Sequence, residues 1–190
     1  MKVRKLIIIS APSGAGKTTL CKRLLSDLGN SVKLSISCTT RKPRGSEKNG
    51  VDYFFLTPEA FNNKRKQKEF AEWAEVHGAF YGTSRDFLET EMKNGFSILL
   101  DIDVQGAASL RDVYPEQCLT VFISPPNLEI LEKRLRKRGT DTEETILKRL
   151  ERAQNEMNEA PHFNKIILND DLERAYSELK TLVYEALHGR

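Results

Sequence analysis

The chain has 190 residues, of which 39% are hydrophobic and 30% charged, with a net charge of +3. That length suits one globular unit with insertions, and the composition excludes a disordered chain. So small a charge excess gives no ground for a nucleic-acid binder but suits small anionic ligands, and no apolar run approaches the roughly 18–20 residues that span a bilayer.

Val3 to Ser10 predicts a buried, β-branched strand of a parallel sheet. Its apolar run follows Lys2, Arg4 and Lys5 but is too short for a signal peptide, and a glycine loop follows it. Thr18 to Leu28 predicts a helix with Leu20, Leu24, Leu25 and Leu28 on one side, ended by Gly29-Asn30. Val32 to Ser37 predicts a second strand. From about Thr39 to Asn94, glycines and charges interrupt short pieces such as Tyr53 to Leu56. Thr57 suits an N-cap with Pro58 at the first helical position, and Ser84 suits the cap of a helix running to Gly95. This stretch predicts an inserted subdomain of mixed strand and helix.

Phe96 to Ile102 predicts a buried strand ending in acids, Gln105 to Val113 a helix, and Leu119 to Ile123 another buried strand. Asn127 to Lys137 predicts a basic helix stopped at Gly139. Asp141 or Thr142 then caps a charged helix running to about Asn158. Lys165 to Leu168 predicts a last strand. Leu172, Ala175, Tyr176, Leu179, Leu182, Val183 and Ala186 share one face of a closing helix. Strands alternating with helices predict an α/β fold whose parallel sheet has helices on both faces. Cys21, Cys38 and Cys118 form no CxxC pair and suggest free thiols in a reducing cytoplasm. His77, His162 and His188 show no metal-ligand spacing.

Ala11-Pro12-Ser13-Gly14-Ala15-Gly16-Lys17-Thr18 lies between a predicted strand and a predicted helix, the context a phosphate-binding loop requires. Gly14 and Gly16 allow the tight path that aims backbone N–H groups at phosphate, and the following helix adds its positive end. Lys17 can reach β- and γ-phosphates and the Thr18 hydroxyl can ligate Mg²⁺, with Thr19 beside it. Ala11 stands where glycine is usual, an alternative found in nucleotide kinases. Asp101, at the end of an apolar strand, is the candidate to hold Mg²⁺ or its waters, with Asp103 two residues on facing the same side.

The acceptor site is expected in residues 37–56. Arg41 and Arg44 place two guanidinium forks three residues apart, suited to a dianionic phosphate. Tyr53 and Tyr81 offer phenolic donors. Taken singly, each has a plain structural reading: solvated arginines, a packed tyrosine, and in Glu72 beside Trp73 the polar face of a helix.

Together they fit one pattern. Thr39 to Leu56 resembles the guanylate kinase family signature of Thr-Ser/Thr-Arg, a basic residue three on, an acid, a glycine and Tyr-x-aromatic. The likeness extends through the phosphate loop, Phe70 to Ala74, Tyr81-Gly82, Leu100 to Gly106, Arg138-Gly139-Thr140 and Asn169 to Asp171, nearly the whole chain. It implies a P-loop NTPase three-layer fold with a central parallel sheet, an inserted mixed α/β GMP-binding subdomain and a helical lid. The expected divisions are a core of residues 1–36, 95–125 and 159–190, a GMP-binding insertion at 37–94 and a lid at 126–158. The implied reaction transfers the γ-phosphoryl group of ATP to GMP or dGMP, with Mg²⁺, in a cytoplasmic monomer or small homo-oligomer that binds neither nucleic acid nor membrane. Ser37, Arg41, Arg44, Tyr53 and Tyr81 are implied to surround the GMP phosphate. Glu72, Thr83 and Asp103 are implied to meet the base, although Asp103 suits the metal equally.

A carboxylate accepts from guanine N1–H and the 2-amino group, both absent in adenine, which would leave Glu72 unpaired. The basic stretch of Arg134, Arg136, Lys137, Arg138, Lys148, Arg149 and Arg152 suits solvated helices. The family resemblance singles out Arg138 and Arg149 as catalytic beside Lys17 and Arg44, and Asn169 and Asp170 as bordering adenine. Phosphoryl transfer needs such cations on a lid that excludes water. The rival readings are a kinase of another acceptor, a non-catalytic guanylate-kinase-like scaffold module, which typically carries a degraded phosphate loop, and a nucleic-acid binder resting on the basic lid alone.

Overall fold

The computed structural model describes residues 6–76, 78–139 and 142–189, without the Arg138 side chain. In chain order they form β1 (Leu6–Ser10), α1 (Lys17–Leu28), β2 (Val32–Leu34), β3 (Cys38–Thr39), β4 (Phe54–Phe55), α2 (Pro58–Lys66), β5 (Phe70–Val76), β6 (Ala79–Ser84) and α3 (Arg85–Lys93). The chain continues as β7 (Ser97–Asp101), α4 (Val104–Val113), β8 (Cys118–Ser124), α5 (Leu128–Arg138), α6 (Glu143–Asn158), β9 (Lys165–Leu168) and α7 (Leu172–His188). The Asp141 cap candidate, Thr140 and the first residues of the Val3 to Ser10 strand lie outside the described residues. Thr142 caps α6 by accepting from the Thr145 N–H.

Two sheets organise the molecule. The larger has the order β2-β7-β1-β8-β9, and each neighbouring pair in it runs parallel. β1 is buried along its whole length because helices cover both faces. Successive side chains alternate between those faces. Ile7 and Ile9 pack with Leu20 and Leu24 of α1 and Leu179 and Val183 of α7. Leu6 and Ile8 pack with Leu88 of α3 and Ala107 and Leu110 of α4. The α/β class with a central parallel sheet is therefore as the alternating strands and helices predict.

The smaller sheet has the order β4-β3-β6-β5. Here the structure departs from the sequence reading. Val32 to Ser37 is not one strand: the chain leaves the larger sheet after Leu34 and enters the smaller one at Cys38. Glu72 lies on a strand and not on a helix face. A register shift between Phe70 and Glu72 explains why β5 shows no clean alternation. Phe70 faces Phe61 and Cys38, whereas Ala71 turns into the core shared with α4.

The topology fixes where a ligand can sit. β1 leads through α1 to β2 on one side, while its neighbour β8 leads through α5 and α6 to β9 on the other, so connections leave these adjacent strands in opposite directions at their carboxyl ends. Such a switch point opens a crevice beyond the strand ends.

Candidate active site

The loop from Ala11 to Gly16 leaves β1 at that switch point. Gly14 and Gly16 have φ of 98° and 94°, in the left-handed region where a side chain would be strained. Gly16 is also the N-cap of α1 and provides no side-chain cap. α2 to α7 each begin with a side chain that does cap: Thr57, Ser84, Asp103, Asn127, Thr142 and Asp171. The N–H groups at the start of α1 are thus left for an anion, where the helix dipole favours one.

Lys17 reaches across to the end of β7. Its Nζ lies 2.5 Å from Asp101 Oδ1 and donates to the Ile102 carbonyl at 3.1 Å. Burial works against the ammonium, but the Asp101 carboxylate outweighs it and holds the Lys17 pKa above its ordinary value. Ser10 ties the same Ile102 carbonyl to β1 at 2.9 Å.

A cleft of about 300 Å³ runs from this loop to the smaller sheet. Ala11 to Gly14, Gly16 to Thr19, Asp101 and Asp103 line its loop side. Ser37, Arg44, Tyr53, Glu72 and Tyr81 line the other. Sequence-predicted residues more than sixty positions apart therefore share one space. Arg41 sits just behind. Its Nε donates to the Tyr81 hydroxyl at 3.2 Å, its Nη2 to Glu47 at 2.9 Å, and its guanidinium lies 5.2 Å from the Tyr53 ring centre. Glu47 also accepts from the Arg44 backbone N–H at 2.7 Å, so one carboxylate sets both arginines. Sequence reasoning gave Glu47 no role beyond its place in the signature.

Glu72 is only 6% exposed. Its Oε1 accepts from the Thr83 hydroxyl at 2.5 Å on the paired strand, and Thr83 is fully buried behind it. Burial pushes the Glu72 carboxyl up to about 7, the Thr83 bond opposing and the nearby Asp103 charge reinforcing. Its Oε2 approaches the backbone of Gly106 so closely that a Cβ there would lie 2.7 Å away. In the sequence Gly106 stood only as the last residue of the Leu100 to Gly106 stretch that carries the family resemblance, with no role of its own. Asp103 caps α4, its Oδ1 accepting from the N–H groups of Gln105 and Gly106. That structural task leaves Oδ2 for the cleft.

The helical pair α5–α6 touches the loop through α6. Arg149 donates to the Ser13 hydroxyl at 3.0 Å. The Arg138 side chain lies outside the described residues. On the surface of this pair, Arg136 pairs with Glu132 and Glu143, and Lys148 with Glu144. Asn169, buried at the end of β9, faces the loop and not the cleft. Its Nδ2 donates to the Ala15 carbonyl at 2.6 Å, and its own carbonyl accepts from Arg134 at 2.9 Å. A Cβ on Gly16 would collide with that amide. Asp170 pairs with Arg174 on the surface, outside the cleft lining. Glu156 of α6 lines the cleft, and the sequence gave no sign of it.

A phosphate loop at the switch point of a parallel sheet, facing a wall of arginine, tyrosine and buried carboxyl, is the architecture of a P-loop nucleotide kinase. The comparisons narrow the class. The guanylate kinase family model matches residues 3–186. A guanylate kinase of Fusobacterium nucleatum is 44% identical over 183 residues, covering 96% of this chain and 97% of that protein. One from Nitratidesulfovibrio vulgaris is 51% identical over 180 residues, covering 95% and 86%. The crystal structure of guanylate kinase from Anaplasma phagocytophilum superposes with a TM-score of 0.81 at 31% identity, covering 98% of this chain and 88% of that one. The chain belongs to the guanylate kinase family.

Proposed function

We infer that this chain transfers the γ-phosphoryl group of ATP to GMP, giving ADP and GDP. The observation that carries the guanine assignment is the buried Glu72 carboxyl, held by Thr83 and open to the cleft that also holds Lys17, Arg44 and Tyr53. In that reading the first amides of α1, the loop from Ala11 to Gly16, Lys17, Thr18 and Thr19 bind the ATP phosphates. Arg44, Tyr53, Tyr81 and Ser37, with Arg41 behind them, bind the GMP phosphate. Glu72 accepts from guanine N1–H and the 2-amino group, while Asp103, which also caps α4, lies beside that edge.

The Thr18 hydroxyl and the Asp101 and Asp103 carboxylates form an all-oxygen donor set that suits Mg²⁺. No group of three or more His, Cys, Asp or Glu side chains that could hold a metal exists among the described residues. That also fits Mg²⁺, which takes most of its ligands from water and phosphate. Bound there, Mg²⁺ would supply positive charge to offset that of the phosphates. Transfer is direct and in line, with the already ionised GMP phosphate as nucleophile, so no general base is required. Lys17, Arg44, Arg149 and Arg138 offset charge on the migrating group, and lid closure excludes water that would hydrolyse ATP.

Residues 1–36, 95–125 and 159–190 would act as the nucleotide-binding core, 37–94 as the acceptor unit and 126–158 as the lid. We place Asn169 in this scheme as a prop of the loop, and Asp170 at the adenine margin. We propose cytoplasmic action, which suits the free thiols of Cys21, Cys38 and Cys118, as a monomer or small homo-oligomer without nucleic-acid or membrane partners. No helix among the described residues is long and apolar enough to cross a membrane.

The test compares turnover of GMP, dGMP and AMP in an assay coupled to ADP release. GMP and dGMP should react and AMP should not. A Lys17→Ala variant should lose roughly a hundredfold or more in kcat. AMP turnover equal to that of GMP would remove the base assignment, and full activity of the lysine variant would revive a binding role for the loop.

A further inference from the structure

The lid carries a carboxyl into the cleft that the reaction as described does not use. Glu156 lies on α6 seven residues beyond Arg149, which puts the two on the same helix face. Arg149 touches the phosphate loop, and Glu156 lines the cleft together with Lys17, Arg44, Tyr53, Glu72 and Asp103. The Glu156 side chain makes no hydrogen bond or ion pair with a described residue, its backbone carbonyl accepting from the Glu159 N–H at 3.2 Å. Burial pushes its pKa up to about 7, with Lys17 and Arg152 opposing and Asp103 reinforcing.

A carboxyl in a cleft that collects two phosphorylated nucleotides is repelled by every phosphate nearby. It must meet a hydrogen-bond donor to be favourable there. The acceptor brings two sets of donors. The N1–H and 2-amino group of the base are met by Glu72, and the remaining set is the sugar hydroxyls. The charged lining of the cleft also bounds its place. Glu156 shares that cleft with Lys17, at the transfer end, and with Asp103 and Glu72, at the base end. A nucleotide whose phosphate faces the loop and whose base faces Glu72 spans that interval with its sugar.

We propose that Glu156 accepts hydrogen bonds from the sugar hydroxyls of the acceptor nucleotide, so that the lid closes against the acceptor as well as against ATP. The proposal rests on the GMP site described above. It makes α6 a two-ended element, with a guanidinium for the donor phosphates and a carboxylate for the acceptor sugar.

Steady-state kinetics with GMP, dGMP and 3′-deoxy-GMP test it on the wild type, Glu156→Ala and Glu156→Gln. Wild type should show a KM raised about tenfold or more for at least one deoxy acceptor, the size of one charge-assisted hydrogen bond. Glu156→Ala should show that higher KM with GMP itself and no further rise with the deoxy analogues. Its kcat and its KM for ATP should stay within about twofold. Glu156→Gln, which keeps an acceptor oxygen, should fall between. Three results would each overturn the proposal: wild type treating all three acceptors alike, the alanine variant keeping wild-type discrimination, or the variant losing kcat equally with every acceptor. The wild-type comparison needs no variant to fold. Failure of the GMP reading would show separately, as wild-type use of AMP.

Discussion

Replacing Gly106 with alanine should damage GMP recognition without weakening the fold. Gly106 sits in the first turn of α4 with ordinary helical backbone, so alanine is conformationally allowed and favours the helix by roughly 0.5–1 kcal/mol. The added Cβ, however, would lie 2.7 Å from Glu72 Oε2 and 3.1 Å from its Cδ. To reach ordinary contact beyond 3.4 Å the carboxylate must retreat by about 0.7 Å. That takes a hydrogen bond of ordinary length past its useful limit of about 3.2–3.5 Å. Losing one charge-assisted bond to guanine is worth about 1.5–3 kcal/mol, or roughly 10- to 100-fold in kcat/KM for GMP. The KM for ATP should not move, because the phosphate loop is not in contact with the substitution. The assays are coupled ADP release and a thermal melt, with Tm expected level or higher while activity falls. Wild-type kcat/KM for GMP would refute the claim that the carboxylate needs this position. A Tm that falls in step with activity would show a packing defect instead.

Two other perturbations follow from the geometry. Glu72 and Glu156 both have folded pKa values raised to about 7 from 4.5, so the folded protein favours their protonated forms. The stability they contribute is complete below about pH 4.5 and is lost as pH rises through about 7. The Tm of the ligand-free protein should therefore decline across that window. GMP, whose donors favour the ionised Glu72, should raise Tm more at pH 8 than at pH 6. Glu72→Gln should shrink that difference to the parts due to Glu156 and to the ionisation of the nucleotide's own phosphate, and an unchanged difference would count against Glu72 as the base contact. Asn169→Ala should strip the buried Ala15 carbonyl of its 2.6 Å partner, at a cost of about 1–3 kcal/mol. A Tm lower by about 2–4 °C per kcal/mol and a KM that rises for ATP more than for GMP are expected. An unchanged melt and ATP KM would deny the amide its role as a prop of the loop.

Which residues were legible in the sequence follows from how each acts. The phosphate loop works through backbone path and helix start, both encoded locally by two glycines between a strand and a helix, so the motif could be read directly. Arg41, Arg44 and Tyr53 share one short segment and were found by spacing. Gly106, Asn169, Glu47 and Glu156 act through contacts made only in three dimensions. Gly106 matters because Glu72, more than thirty residues earlier on the smaller sheet, comes to rest on it. Asn169 props Ala15 at a separation of 154 residues. Neither relation leaves a period or a motif. The split of Val32 to Ser37 between two sheets was hidden for a related reason, since an extended run does not record which partner it will pair with.

The same distinction bears on why the cleft should close when filled. The ligand-free molecule forgoes stability at several places that converge there. Among the described α-helices α1 alone starts without a side-chain cap, the buried Glu72 and half-buried Glu156 are carboxyls with pKa values raised to about 7, and Lys17 is held by Asp101 in the place where phosphates are expected. A phosphate answers the amides of α1 and draws Lys17, and the guanine and sugar donors answer the two carboxyls. Each is a defect of the empty site that one part of a nucleotide repairs. Because Glu72 belongs to the smaller sheet and Glu156 to the lid, those repairs can be complete only when both elements meet the same acceptor. Closure is then favoured by the substrate itself, and water, which brings neither the base nor the sugar donors in fixed geometry, cannot drive it.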